Sequence, residues 1–291
     1  LAFLRERLDD RLRGRDDLEV AAEAPVLASI PRVPSWKRKE SAVLVTFAEP
    51  KSAAAEAYRT LRTSVLFAMG QSNAKVLMVT SPHAGDGKTT TAANLATVLG
   101  QAGKRVVLVS ADLRKPRVHQ FFGLETKTGL TNVLAGEVSP WQAVRPTHIE
   151  NLQVLAAGPI PGNPAELLGS DAMGNLLSAL AETSDIVIVD AAPVLAVSDA
   201  LAMVTLTDGV LLVADAEETH RGAVQHARRQ LHQVDARIIG AVFNNFDPER
   251  AAAYSYYGGY GYYGSPRYEQ PATSASNEVV SERGGFFRRS G

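Results

Sequence analysis

The run VLMVTSPHAGDGKTTTAANLATVL, residues 76–99, constrains this chain more than any other stretch. It reads as strand, loop and helix in that order. The loop closes in Gly85-x-Gly87-Lys88-Thr89-Thr90. Glycines there let backbone N–H groups come close to phosphate oxygens, and a helix starting near Lys88 turns its positive end toward the same anion. The motif predicts that Lys88 reaches the β- and γ-phosphates of ATP and that Thr89 holds Mg2+, with Gly85, Asp86, Gly87 and Thr90 completing the cradle. The first glycine of G-x-x-x-x-G-K-[ST] is replaced here by Pro82. An ordinary turn ahead of a helix is the bland alternative; the strand before and the helix after argue against it.

Such a loop needs a sheet to stand on. Apolar, β-rich runs recur at 75–81, 105–111, 152–158, 185–191, 209–215 and 237–244, with helical segments between them. Runs that are apolar throughout, without alternation, belong to strands buried on both faces. The pattern predicts an α/β fold of the P-loop NTPase type, a mostly parallel sheet with helices on both faces. In such sheets ligands bind beyond the carboxyl ends of the strands. DIVIVDAAP puts Asp190 at that end of one strand, where it suits Mg2+ coordination, usually through water. RVVLVSADLRKP puts Asp112, and two residues later Arg114, at the end of another. Alone this second sign is weaker, since Asp is common in turns.

The flanks differ from this pattern. LAFLRERLDDRLRGRDDLEV spaces Leu4, Leu8 and Leu12 helically among many charges and reads as a solvated helix, too polar for a core. APVLASIPRVPSWKRKES carries three prolines and reads as an extended linker. Its basic run, Lys37-Arg38-Lys39, is either solvated or in contact with a membrane surface. AAAEAYRTLRTSVLFAM then reads as a helix. Beyond Asp247 all periodicity stops, and Tyr, Gly, Ser, Pro and charge read as a flexible tail. The expected boundaries are 1–50 for helix and linker, 51–247 for the globular domain and 248–291 for the tail.

Composition narrows the partners. A net charge of -1 gives no sign of nucleic acid. The absence of cysteine excludes disulfides and thiolate chemistry. No signal peptide and no apolar run of about 18 residues is present, so the chain as given is expected to be soluble. It begins with Leu, which suggests a piece of a longer protein.

Together these segments resemble the bacterial tyrosine kinase (BY-kinase) family, cytoplasmic kinases of capsular and exopolysaccharide export, from roughly Leu4 to Tyr268. SPHAGDGKTTTAANLA is similar to the family's Walker A loop, VVLVSADLRKPRVHQFFG to its Walker A′ strand, DIVIVDAAPVLAVSDA to Walker B and GAVFNNFD to its last strand. The resemblance implies catalytic roles for Lys88, Asp112, Arg114 and Asp190, Mg2+ on Thr89, Asp112 and Asp190, and Asn244 near the nucleotide base. His119 matches a family position, although a packed surface histidine would read the same way. The N-terminal segment resembles the juxtamembrane linker of members fused to a two-span polysaccharide co-polymerase. That implies the cytoplasmic face of a bacterial inner membrane, with the membrane segment in cis or in trans. EAYRTLR resembles the family's E-x-x-R-x-x-R motif, whose face (here Glu56, Arg59 and Arg62) helps assemble a ring of identical subunits. Spacing alone would be satisfied by an intrahelical Glu–Arg pair worth roughly a few tenths of a kcal/mol.

YSYYGGYGYYG, residues 254–264, with Tyr268 holds seven of the chain's eight tyrosines. The resemblance makes Tyr254, Tyr256, Tyr257, Tyr260, Tyr262, Tyr263 and Tyr268 phosphoacceptors, modified in trans by a neighbouring subunit, and implies a cognate tyrosine phosphatase. Each phosphate would add about -1.5 to -2 charges, enough in number to release tail or ring. A self-associating tail or a stacking platform for polysaccharide or nucleic acid are the alternatives. One departure matters. The family's D-x-D-x-R reads Ser110-Ala111-Asp112-Leu113-Arg114, so serine replaces a candidate base. A general base contributes about 10²–10⁴-fold, whereas phosphoryl transfer leans on positioning, so weak activity is expected to survive. Two other functions compete: an ATP-binding scaffold without chemistry, favoured by Ser110, and a Min/Par-type ATPase. The latter carries a signature lysine where this chain has His83.

Overall fold

The computed structural model describes residues 10–33, 42–70 and 74–247. Leu4, Leu8, the 37–39 basic run and the seven tail tyrosines lie outside them. Among the described residues eight strands form one sheet: β1 (Val26–Pro31), β2 (Val76–Thr80), β3 (Val106–Ser110), β4 (Arg145–Pro146), β5 (Leu152–Leu155), β6 (Ile186–Asp190), β7 (Gly209–Asp215) and β8 (Ile238–Phe246). Their order is β1-β8-β7-β2-β6-β3-β5-β4. All pairings are parallel except β4 against β5. Strands β2, β3, β6 and β7 are buried at every position, which is why their sequences do not alternate.

Helices cover both faces. Ala53–Gly70 and Lys88–Gln101 lay Leu61, Val65, Leu95 and Leu99 on one face. Asp171–Thr183 and Arg221–His232 lay Leu176, Leu180, Val224 and Leu231 on the other. Burying such a side chain stabilises the fold by about 1.5–3 kcal/mol. The two cores hold the middle strands rigid, so their carboxyl ends form a fixed platform.

The structure corrects the reading of residues 12–31. Helix Arg15–Ala22 buries Leu18, Ala21 and Ala22, and Leu12 just before it is buried as well. Strand β1 then pairs with β8, Val26 opposite Ala241. Charge misled the sequence reading: Asp17 and Glu23 are engaged by Arg221 and Arg228 of the neighbouring helix, while a narrow apolar stripe faces inward. Proline misled it as well. Pro31 ends β1 at the outer edge of the sheet, where a missing N–H costs little. Along β1 burial alternates, with Val26 in one core and Ala28 and Ile30 in the other. The folded domain therefore includes the segment from Leu12 to Pro31.

Candidate nucleotide site

The phosphate loop runs from β2 into helix Lys88–Gln101. His83 N donates to Asp86 Oδ2 at 2.8 Å, closing the loop on itself. Pro82 stands where the motif has its first glycine, and its carbonyl accepts from Leu195 N at 3.2 Å. Gly85 and Gly87 have φ of 98° and 95°, a region that side chains with a Cβ avoid. At Gly87 there is a second reason: a Cβ would collide with the Asn244 side chain. Asn244 Nδ2 in turn donates to Asp86 O at 3.0 Å. The end of β8 thus touches the phosphate loop. Thr90 is the third residue of the helix, and its carbonyl accepts from Asn94.

Asp86 is buried, and Thr219 Oγ1 donates to its Oδ1 at 2.9 Å. Burial raises the Asp86 pKa, against the lowering effect of the His83 and Thr219 hydrogen bonds. Sequence reasoning missed Thr219. Its partner lies 133 residues away, and the only local clue is its place after the acidic end of β7.

Four side chains converge beyond the sheet's carboxyl edge. Lys88 Nζ lies 2.7 Å from Asp112 Oδ2, 3.1 Å from Thr89 Oγ1 and 3.7 Å from Asp190 Oδ1. Thr89 Oγ1 donates to Asp190 at 2.9 Å and 3.1 Å. Burial pushes the Asp190 carboxyl up to about 6; Asp112 adds to the rise and Lys88 opposes it. For Lys88 burial acts downward, but attraction to Asp190 and Asp112 outweighs it and the pKa is raised. Both directions have one origin. The single ammonium is shared between two carboxylates, so Asp190 recovers less from it than burial removes.

Ser110 stands beside Asp190 in the β3–β6 register, fully buried. Its Oγ has no hydrogen-bond partner among the described residues. Two residues on, Asp112 Oδ1 accepts from Lys115 N at 3.0 Å, so both Asp112 oxygens are held. Arg114 was expected to be catalytic. In the structure its Nε and Nη2 donate to Asp199 at 2.8 Å and 3.0 Å. The Asp199 carboxylate is completely buried and needs that counter-charge.

The remaining predicted residues lie apart. Glu56, Arg59 and Arg62 sit on helix Ala53–Gly70, away from the loop. Arg59 pairs with Glu56 at 2.8 Å and donates to Pro50 O at 2.6 Å, while Arg62 reaches Val98 O at 3.4 Å. Within one chain this is the intrahelical pair that spacing allowed. His119 is part-buried in helix Val118–Phe122, with its pKa lowered by burial. Tyr58, the tyrosine outside the tail run, is fully buried and its pKa is raised by that burial.

The donor set suits a nucleotide with Mg2+. Among the described residues no three or more His, Asp and Glu side chains are grouped as a cation cage. Mg2+ does not need one, since it takes one or two carboxylates together with phosphate oxygens and water. Thr89, Asp190 and Asp112 offer that set next to the loop.

A Gly-Lys-Thr loop at the carboxyl edge of a parallel sheet, faced by an acidic strand end, defines a P-loop nucleotide-binding protein. Residues 74–239 match the family described as AAA domain. The chain is 43% identical over 215 residues to tyrosine-protein kinase YwqD of Bacillus subtilis (strain 168), covering 74% of this chain and 91% of that one. It is 35% identical over 234 residues to tyrosine-protein kinase wzc of Salmonella typhi, covering 80% of this chain and 32% of that protein. The kinase domain of Escherichia coli tyrosine kinase ETK superposes with a TM-score of 0.75 at 32% identity, over 80% of this chain and 94% of that one. The chain belongs to the bacterial tyrosine kinase family.

Proposed function

We propose that this chain is an ATP-dependent protein-tyrosine kinase that phosphorylates its own tyrosine-rich tail in trans. The convergence of Thr89, Asp112 and Asp190 around Lys88, whose Nζ lies 3.1 Å, 2.7 Å and 3.7 Å from them, carries this reading. ATP is the phosphoryl donor, lying over Gly85–Thr90, with Asn244 near the base. Lys88 exchanges Asp112 for the phosphates and neutralises charge there. That exchange frees the Asp112 carboxylate to accept the phenol proton. The tyrosine oxygen bonds to the γ-phosphorus, the bond to the β–γ bridging oxygen breaks, and ADP leaves. Mg2+, when held by Thr89, Asp190 and Asp112, supplies further charge neutralisation to the phosphates.

The wider setting follows the family. Glu56, Arg59 and Arg62 help assemble a ring that presents one subunit's tail to the next. The ring works at the cytoplasmic face of the inner membrane with a polysaccharide co-polymerase segment, in cis or in trans. It regulates capsule or exopolysaccharide polymerisation and export, and a tyrosine phosphatase resets it. Among the described residues no helix is long and apolar enough to cross a membrane, so membrane contact rests on that partner or on segments outside them.

Intact-mass analysis after incubation with Mg·ATP tests the reading. Phosphate increments that map to residues 254–268 are the expected result. Nucleotide binding with no increments would favour an ATP-binding scaffold, which the neutral Ser110 is the one observation to suggest. Phosphate release without phosphotyrosine would favour a Min/Par-type ATPase.

A further inference from the structure

We propose that Asp199 is a positioning residue of this phosphotransfer site, acting through Arg114 on Asp112; the proposal rests on the kinase reading. The Asp199 side chain is 0% exposed, whereas Arg114 is 46% exposed. A long, half-solvated arginine would ordinarily sample many rotamers. Here a desolvated carboxylate fixes it, because that charge has no access to water. The planar guanidinium fork makes two bonds, at 2.8 Å and 3.0 Å, and so fixes direction as well as distance.

Arg114 lies inside the turn that begins at Asp112 and closes where Lys115 N meets Asp112 Oδ1 at 3.0 Å. Holding Arg114 therefore holds the turn, and the turn aims the carboxylate whose other oxygen faces Lys88. The anchor is itself tied to the phosphate loop. Asp199 ends the segment that leaves β6 after Asp190. Along that segment Ala192 O accepts from Thr80 Oγ1 at 2.8 Å, Val194 N donates to Ser81 O at 2.9 Å and Leu195 N donates to Pro82 O at 3.2 Å. The clamp thus closes a circuit from the phosphate loop through Asp199, Arg114 and Asp112 back to Lys88. An error in the placing of reacting groups by a fraction of an ångström is costly, which gives the circuit its use.

The bland reading is that the pair only fastens helix Asp199–Met203, in which case its loss lowers stability and leaves turnover alone. Asp199→Asn, Arg114→Gln, Arg114→Lys and the Asp199→Asn/Arg114→Gln double variant separate the two. Three readouts are taken: affinity for a fluorescent ATP analogue, kcat for phosphotyrosine formation, and amide hydrogen exchange at Lys115. The expected result is a fall in kcat of about 10–100-fold with ATP affinity within about twofold. The double variant should be no worse than either single one, since both break one device. Arg114→Lys should recover part of the loss, as a point charge cannot make the fork. Exchange at Lys115 should quicken about tenfold or more in Asp199→Asn. Unchanged kcat, additive losses, or kcat and ATP affinity falling together would overturn the proposal. Should the wild type form no phosphotyrosine, the kinase reading fails by itself. Unchanged Lys115 exchange would then refute the clamp, and faster exchange would uphold it.

Discussion

Strand β6 has an aspartate at each end, and the two live under opposite rules. Asp185, just before the strand, receives Arg105 N at 2.9 Å and pairs with Arg105 Nη2 at 2.8 Å. Both side chains are substantially exposed, and the Arg105 hydrogen bonds hold the Asp185 carboxyl below its usual range. Asp190, five residues on, is fully buried, and burial lifts its carboxyl to about 6 although Lys88 stands nearby. Both ends carry an acid facing a base. At the watery end the pair fastens the start of β6 to the start of β3, and solvent screening leaves it little energetic worth. At the dry end the acid is held at a cost to stability, which marks a place arranged for a ligand. Burial, more than the presence of a charge pair, separates a fastener from a functional centre.

Four experiments would break or sharpen that contrast, in falling order of effect. Lys88→Met should lower ATP affinity by about 30-fold or more, since it removes a buried, hydrogen-bonded charge. Titration with a fluorescent analogue reads this, and unchanged affinity would show that the dry cluster is a fastener after all. Next is the pH dependence of stability. The folded pKa of Asp190 is raised from 3.8 to about 6, so the native state binds this proton more tightly than the unfolded chain. The stability it contributes is therefore present below about pH 4 and lost as pH rises through about 6, on the order of 3 kcal/mol. Asp185 has the opposite sign: its contribution is present above the usual carboxylate pKa and lost as pH falls below it. Urea midpoints against pH should lose the first slope in Asp190→Asn and the second in Asp185→Asn.

Ser110→Asp comes third. A new carboxylate beside Asp190 should raise the rate of phosphotyrosine formation about tenfold or more, because it joins Asp112 in accepting the phenol proton. It should also lower the melting temperature measured without Mg·ATP, as Lys88 would then face three acids. A faster but equally stable variant would mean that Ser110 is not as dry as its burial indicates. The smallest effect is expected of Asp185→Asn at neutral pH: a melting temperature within about 2 °C of wild type and unaltered ATP affinity.

Much of this site could be read in the sequence, for a physical reason. Gly85, Gly87, Lys88 and Thr89 are neighbours in the chain, so their chemistry appears as spacing. Asp190 was legible because β6 is apolar on both faces and its acid stands out at the end. Residues that act through distant partners were not legible. The sequence offers Arg114 as a site residue but not its partner Asp199, 85 positions later. The sign that could have pointed to Asp199 is its place in VSDA, opening a helix on the segment that leaves Asp190. The first strand was missed because prolines suggest a linker wherever the sheet edge cannot be foreseen. Ser110 was recognised as a departure from its family, but only the structure gives its burial and its unpartnered hydroxyl.

Strand β1 finds its place in the sheet beside β8, with Val26 opposite Ala241. Among the described residues the first strand is thus seated by the last. Closing so long a loop is entropically slow, and during synthesis the partner emerges only after nearly the whole domain has left the ribosome. Until then Val26, Ala28 and Ile30 have no neighbouring strand to complete their burial. The domain should therefore gain its full cooperativity late. A chain cut before β8 should leave its beginning, as well as its end, open to proteases.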